Sequence, residues 1–308
     1  MYKMYYYDTE KSDIGIAQTE ETGDIIYLHK GQPPKKDHQI AYSQYKNIID
    51  KYVKGREKQT IISKIEKLLD NNVDPMYVMD DNIRSIYTII KDEEEKKQIY
   101  IDNDDTMFPI CIKNKFNLFY ISGGTGSGKS TLAMKIIENY KKTNKGHGIY
   151  LISRLEDPKD VLQKCKYIER IDCNSFLEEL PTYEEFKDCM IVFDDFESYQ
   201  TTNPKLYNII VGLMNEMVTL GRHQNLNIIV CCHNVTNYKS TRLLLLEATH
   251  MILYPRSCSN HSLKYLFGTY GSMDTKQLEK FKKSQSRFIC LYKQHPNILF
   301  TEHSIELL

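Results

Sequence analysis

Five stretches of the chain are short, nearly unbroken apolar runs: FNLFYIS (Phe116–Ser122), GIYLIS (Gly148–Ser153), CMIVFDD (Cys189–Asp195), LNIIVCCHN (Leu226–Asn234) and HMILYP (His250–Pro255). Such runs, bounded by polar turns, predict strands buried on both faces. Between them the spacing changes to that of a helix. In KSTLAMKIIENYKK (Lys129–Lys142), Leu132, Ile136, Ile137 and Tyr140 fall on one side. PKLYNIIVGLMNEMVTLG (Pro204–Gly221) is a long amphipathic segment that stops at a glycine. Asp157-Pro158 has the chemistry of a further helix start, Asp as cap and Pro in the first turn. Strands alternating with helices predict an α/β fold with a mostly parallel sheet and helices on both faces.

The first 108 residues have a different rhythm. Two apolar runs flank EETGD within Ile14–Gly31, which predicts a hairpin. GQPPKKD then interrupts. Tyr42–Asp70 places Ile48, Ile49, Tyr52, Val53, Ile61, Ile62, Ile65, Leu68 and Leu69 at helical intervals, and the charge run Lys91–Lys97 reads as a solvated helix or loop. The expected organisation is an acidic, mixed α+β amino-terminal accessory region (1–108) and an α/β domain (109–308). The latter divides into a core (109–256) and a carboxyl-terminal extension (257–308).

Composition refines this only in part. The 308 residues carry no formal net charge, which gives no bulk argument for nucleic acid or membrane. The balance is uneven: residues 1–108 hold 16 Lys/Arg against 21 Asp/Glu, and the other 200 hold 25 against 20. Eight scattered cysteines form no Cys-x-x-Cys pair, so they predict free buried thiols in a reducing compartment. No run approaches the ~20 apolar residues of a membrane span, and MYKMYYYDTEKSD lacks the apolar run of a signal peptide. The expectation is a soluble, intracellular protein with no membrane partner.

The chemistry begins after the first buried run. Gly123, Gly124, Thr125, Gly126, Ser127, Gly128, Lys129, Ser130 and Thr131 fit the Walker A pattern G-x-x-x-x-G-K-[ST] in full, between a strand and a helix. Glycines let the loop curl until its N–H groups face inward, and the helix start adds its dipole. Lys129 is placed to reach the β- and γ-phosphates, and the Ser130 hydroxyl to ligate Mg²⁺. The acidic half of such a site is a strand ending in carboxylates, which MIVFDD supplies. Asp194 is expected in the Mg²⁺ shell, and Asp195 is expected to orient or deprotonate a water, with Glu197 in reserve. A guanine-selecting Asn-Lys-x-Asp is absent, which favours ATP. The fold expected is therefore a P-loop NTPase of RecA-like type.

Three stretches together resemble the FtsK–HerA superfamily of DNA-pumping ATPases, above all the genome-packaging ATPases of poxvirus-like and other large DNA viruses. They are GGTGSGKS, IVFDD, and GRHQNLNIIV running into a polar strand end and then TR and THMILYP. The resemblance covers about residues 110–302 and implies carboxyl-terminal helices with a closing hairpin within 257–308, where LFGTYGSMDTKQLEKFKKSQSRFICLYKQHPNILFTE is similar to the family's. It implies a polar γ-phosphate sensor at His233 or Asn234, where the family usually has Gln. It also implies a nucleotide site completed by an arginine from a neighbouring subunit, for which Arg222 is the first choice and Arg154 and Arg242 the alternatives. The partners implied are double-stranded DNA, further copies in a pentameric or hexameric ring, and capsid or portal proteins, in the host cytoplasm (a viral factory) or the virion. Tyr238–Arg242 and Lys113–Phe116 are candidate channel contacts. The function expected is an ATP-hydrolysing DNA translocase that packages viral genomes. The alternatives are a nucleotide-switched assembly scaffold with little turnover, or a nucleoside or small-molecule kinase.

Overall fold

Three strands open the chain: β1 (Lys3–Tyr6), β2 (Lys11–Gln18) and β3 (Gly23–Lys30). Helices α1 (Lys58–Asp70) and α2 (Asp81–Glu95) follow, then β4 (Gln98–Tyr100) and β5 (Thr106–Pro109). The alternating part runs β6 (Asn117–Ser122), α3 (Lys129–Thr143), β7 (Gly148–Ser153), β8 (Glu169–Ile171), β9 (Cys189–Asp194), α4 (Pro204–Leu220), β10 (Asn227–Cys232), α5 (Tyr238–Glu247) and β11 (His250–Leu253). Strands β12 (Ile289–Tyr292), β13 (Ile298–Thr301) and β14 (Ser304–Leu307) close it. This computed structural model describes residues 3–6, 11–18, 23–30, 58–71, 73–95, 98–100, 106–112, 115–155, 160–233, 238–271, 273, 278, 286–294 and 297–307.

Ten strands form one sheet in the order β4-β14-β13-β12-β11-β6-β10-β9-β7-β8. From β11 to β8 every pairing is parallel, and from β11 to β4 every pairing is antiparallel. The unbroken apolar runs have a direct cause. In β6, Leu118 and Tyr120 enter the core on one face, while Phe119 and Ile121 enter the core on the other. In β10, Ile228 and Val230 alternate in the same way with Ile229 and Cys231. Helix α4 covers the first face through Leu206, Ile210, Leu213 and Met217, and α3 the second through Leu132, Ile136, Ile137 and Tyr140. This is the architecture of a P-loop NTPase, a mostly parallel sheet with helices on both faces.

A buried polar clasp fixes the start of β6. Asn117 accepts from the Ile112 N–H at 2.8 Å and donates to the Asn227 Oδ1 at 2.8 Å and to the carbonyls of Ile112 and Lys115. It sets β6 against β10 before either strand reaches the site.

The amino-terminal hairpin is present as antiparallel β2 and β3, in a four-stranded sheet of order β1-β3-β2-β5. Helices α1 and α2 bury Ile61, Ile65, Ile83 and Ile86 between them, while the expected helical positions Ile48, Ile49, Tyr52 and Val53 lie outside the described residues. Strand pairing crosses the boundary expected at 108/109. β4 is the outermost strand of the large sheet, and β5 pairs with β2 while Met107 and Phe108 join the core under α3. The helix start expected at Asp157-Pro158 lies outside the described residues, and 160–168 are turns and bends. All eight cysteines are free thiols, six of them buried.

Candidate functional site: a phosphate loop and its acidic wall

The loop between β6 and α3 lies at the carboxyl end of the parallel strands, where neighbouring β9 and β10 also end. Gly126 and Gly128 have φ of 74° and 101°, a region that side chains disfavour. Gly123 is required for a different reason. A Cβ there would meet Ser127 Oγ at 2.8 Å and Tyr254 Cδ2 at 2.9 Å. The loop is braced from the far end of β11: the Tyr254 hydroxyl donates to the Gly128 carbonyl at 2.9 Å, and the Gly124 N–H donates to Ser257 Oγ at 3.1 Å. Thr125, Gly126 and Thr131 are exposed along its rim.

Lys129 is buried, and its ammonium donates to the carbonyls of Gly123 (2.8 Å) and Gly124 (3.2 Å). It also stands 3.4 Å from His233 Nδ1. On the β9 side, the Ser130 hydroxyl donates to Asp194 Oδ2 at 3.2 Å. Asp194 is the last residue of β9 and buried, so its carboxyl is pushed up to about 6, by desolvation first and by the charges of Asp195 and Asp160 second. A hydroxyl and a buried carboxylate of raised pKa form a hard-oxygen pair suited to Mg²⁺, whose charge would offset the cost of holding Asp194 ionised.

Asp195 leaves the strand in the left-handed region, φ 50°. That turn separates its carboxylate from Asp194 and brings it to His233, with Nε2···Oδ1 at 2.7 Å. The hydrogen bond holds Asp195 below the usual carboxylate range and raises His233, against the opposing effects of burial and Lys129 on the imidazole. Because Nδ1 faces an ammonium, its lone pair accepts there and Nε2–H donates to Asp195. The His233 backbone N–H donates to Glu197 Oε2 at 2.6 Å. His233 is therefore held at ring and backbone by the two acids that follow Asp194.

The structure places Lys129, Ser130, Asp194, Asp195, Glu197 and His233 together. Asn234 lies outside the described residues. Arg222 is exposed and stands apart from this site. It precedes β10, whose other end carries His233; a six-residue strand separates them by about 20 Å. Arg154, one residue beyond β7, donates to the Ser198 carbonyl at 3.3 Å with its guanidinium 5.6 Å from the Tyr199 ring centroid. Arg242 is exposed on α5. The braces Tyr254 and Ser257 were not anticipated. The polar group closing HMILYPRS is their only trace in the sequence.

No family model matches the chain. It is 31% identical over 193 residues to the "Uncharacterized protein V3" of Sputnik virophage, covering 62% of this chain and 77% of that protein. Among solved structures it is similar to the genome packaging NTPase B204 of Sulfolobus turreted icosahedral virus 2 in complex with ATP-gammaS, with TM-score 0.41, 15% identity and coverage of 61% of this chain and 96% of that one. It is also similar to the cytoplasmic domain of the Thermomonospora curvata type VII secretion ATPase EccC, with TM-score 0.44, 12% identity and coverage of 68% and 29%. Among the described residues no helix is long and apolar enough to cross a membrane.

Proposed function

The chain belongs to the family of the Sputnik virophage protein V3, and we propose that it is an ATP-driven translocase that packages double-stranded viral DNA, working as a homo-oligomeric ring. One observation carries the reading: a second acid, Asp195, stands beside the Ser130–Asp194 pair without sharing its role. A loop that only binds a nucleotide needs the lysine and the hydroxyl–carboxylate pair. A hydrolase needs in addition a carboxylate kept ionised at the terminal phosphate, and the His233 hydrogen bond keeps Asp195 so.

In this mechanism Lys129 leaves the loop carbonyls for the β- and γ-phosphates. Ser130 and Asp194 would hold Mg²⁺, which when bound would neutralise charge on the phosphate oxygens. Asp195 aligns the attacking water and accepts its proton. His233 either releases Asp195 to the water or holds it away, so it reports the state of the γ-phosphate. It stands at the end of β10, a few residues before α5, and its movement is passed to that helix. Arg222, at the opposite end of the sheet, has no reach to its own chain's loop; it serves a neighbour's nucleotide, where a planar guanidinium neutralises charge on the phosphoryl in transfer. The basic excess of residues 109–308 supplies DNA contacts, repeated by ring symmetry.

Steady-state ATP hydrolysis at low salt, with and without duplex DNA and against Lys129→Ala, tests this. Hydrolysis that rises with DNA and vanishes in the variant is expected. Turnover indifferent to DNA but dependent on an added nucleoside acceptor would replace the reading with a kinase. For Arg222, rings mixed from Arg222→Ala and Lys129→Ala subunits are expected to lose cooperation; activity independent of the mixing ratio rules out the trans role.

A further inference from the structure

Two side chains at the exit of β11 reach the phosphate loop, one at each of its ends. We propose that Tyr254 and Ser257 are positioning residues for the nucleotide: they set two peptide planes of the loop, so that the cradle is formed before the triphosphate arrives. The inference rests on the triphosphate reading above and adds what holds the loop in the shape that reading requires.

Gly123, Gly124, Gly126 and Gly128 leave the loop backbone with few steric limits, and Gly126 and Gly128 use the left-handed region. Such a backbone does not keep one set of N–H directions by itself. Ordering it at the moment of binding would subtract from affinity, and a brace from outside the loop removes that cost.

At the start of α3, the Gly128 carbonyl accepts from the Leu132 N–H at 3.0 Å and from the Tyr254 hydroxyl at 2.9 Å. In a planar trans peptide the C=O and the following N–H point in opposite directions. Two donors on the Gly128 oxygen therefore fix the Lys129 N–H, which faces back out of the helix start, the place where an anion binds. Tyr254 is buried, and burial holds its hydroxyl above the ordinary phenol range, so it stays a donor.

At the other end, Ser257 Oγ accepts from the Gly124 N–H at 3.1 Å. Its own proton is committed to the Tyr254 carbonyl at 3.1 Å, so a lone pair faces the loop. The same planarity then fixes the Gly123 carbonyl, which accepts from the Lys129 ammonium at 2.8 Å. Ser257 thus sets one of the two carbonyls that Lys129 leaves on its way to the phosphates.

The sheet delivers both residues. β11 runs parallel to β6 as far as Leu253 opposite Ser122, and the Tyr254 N–H donates to the Ser122 carbonyl at 3.3 Å. Tyr254 therefore leaves the sheet beside Gly123, the residue whose missing side chain makes room for its ring.

Calorimetry with ATP and with inorganic tripolyphosphate, together with steady-state hydrolysis, tests this on the full chain, Tyr254→Phe and Ser257→Ala. Tyr254→Phe keeps the ring and loses only the hydroxyl, and Ser257 is exposed, so Ser257→Ala removes nothing from the core. Each variant is expected to weaken both ligands alike, by about tenfold, and to raise KM with kcat close to that of the wild type. Lower stability in urea with both affinities unchanged would reduce the pair to a folding role and overturn the inference. So would a fall in kcat at unchanged KM, or a weakening of ATP alone. Where Tyr254→Phe does not fold, Ser257→Ala decides by the same readings. Failure of the wild type to bind either ligand overturns the triphosphate reading instead.

Discussion

His250 offers a test of the sheet that is independent of catalysis. It sits in the middle strand of a row of rings, Phe119 on β6, His250 on β11 and Tyr292 on β12, at registered positions. Its ring stacks on Phe119 with centroids 4.3 Å apart and lies 5.0 Å from Tyr292. Nδ1 shares a hydrogen bond with Thr249 Oγ1 at 2.9 Å, whereas Nε2 is buried without a partner. Burial alone pushes the imidazole down to about 3. An unfolded histidine titrates near ~6.5. Below that pH the unfolded chain takes up a proton that the folded chain refuses, so the contribution is complete above pH ~6.5 and is lost progressively as pH falls towards 3. At about 1.4 kcal/mol per pH unit, the loss from pH 7 to pH 5 is about 2 kcal/mol. His250→Phe removes the titration and keeps the ring row; Thr249 Oγ1 retains its bonds to Leu118 N and O at 2.9 and 3.1 Å. Urea unfolding of both proteins at pH 7 and pH 5 gives the difference directly. The variant is expected to lose about 2 kcal/mol less than the wild type over that interval, whatever its stability at pH 7. An equal loss in both proteins would refute the reasoning and mean that His250 is hydrated or partnered in solution.

Other expectations follow from single contacts. Asp195→Asn is expected to lower the hydrolysis rate by about 10²–10⁴-fold with ATP affinity nearly unchanged; an equal fall in affinity would make Asp195 a structural group. Gly123→Ala drives a Cβ against Ser127 Oγ and Tyr254, so nucleotide binding measured by calorimetry is expected to vanish while far-UV circular dichroism stays native. Asn117→Ala leaves the buried Ile112 N–H and Asn227 without their partner and is expected to cost about 2–4 kcal/mol in urea unfolding; a cost under about 0.5 kcal/mol would mean that neighbouring groups re-pair.

Local chemistry made much of this legible in advance. A strand buried on both faces has to be apolar at every position, so β6, β9 and β10 stand out as runs. The glycine spacing before Lys129 likewise records the positive φ at Gly126 and Gly128. What escaped the sequence depends on distant partners. Tyr254 reaches a carbonyl 126 positions away, and neither residue type signals the other. The closing hairpin expected within 257–308 is present as antiparallel β12 and β13, but its extension by β14 and then by β4 joins segments far apart in the chain. His233 looked like a polar strand end; only the fold shows that one imidazole meets Asp195, Lys129 and, through its backbone, Glu197. The position of Arg222 follows from strand polarity, which spacing alone does not give.

The outermost strand of the large sheet, β4, pairs with β14: Gln98 meets Glu306 and Tyr100 meets Ser304. As the chain leaves the ribosome, Gln98–Tyr100 emerges some two hundred residues before its partner. Contacts of such sequence separation form late, so for much of synthesis this strand, and the β5 strand whose Met107 N–H awaits the Glu302 carbonyl, present unpaired edges. The phosphate loop and its acidic wall lie between these two ends in sequence and emerge before the closing strand. Maturation of this sheet thus finishes at its rim, and a shortened carboxyl terminus would leave an assembled loop beside an unfinished, association-prone edge.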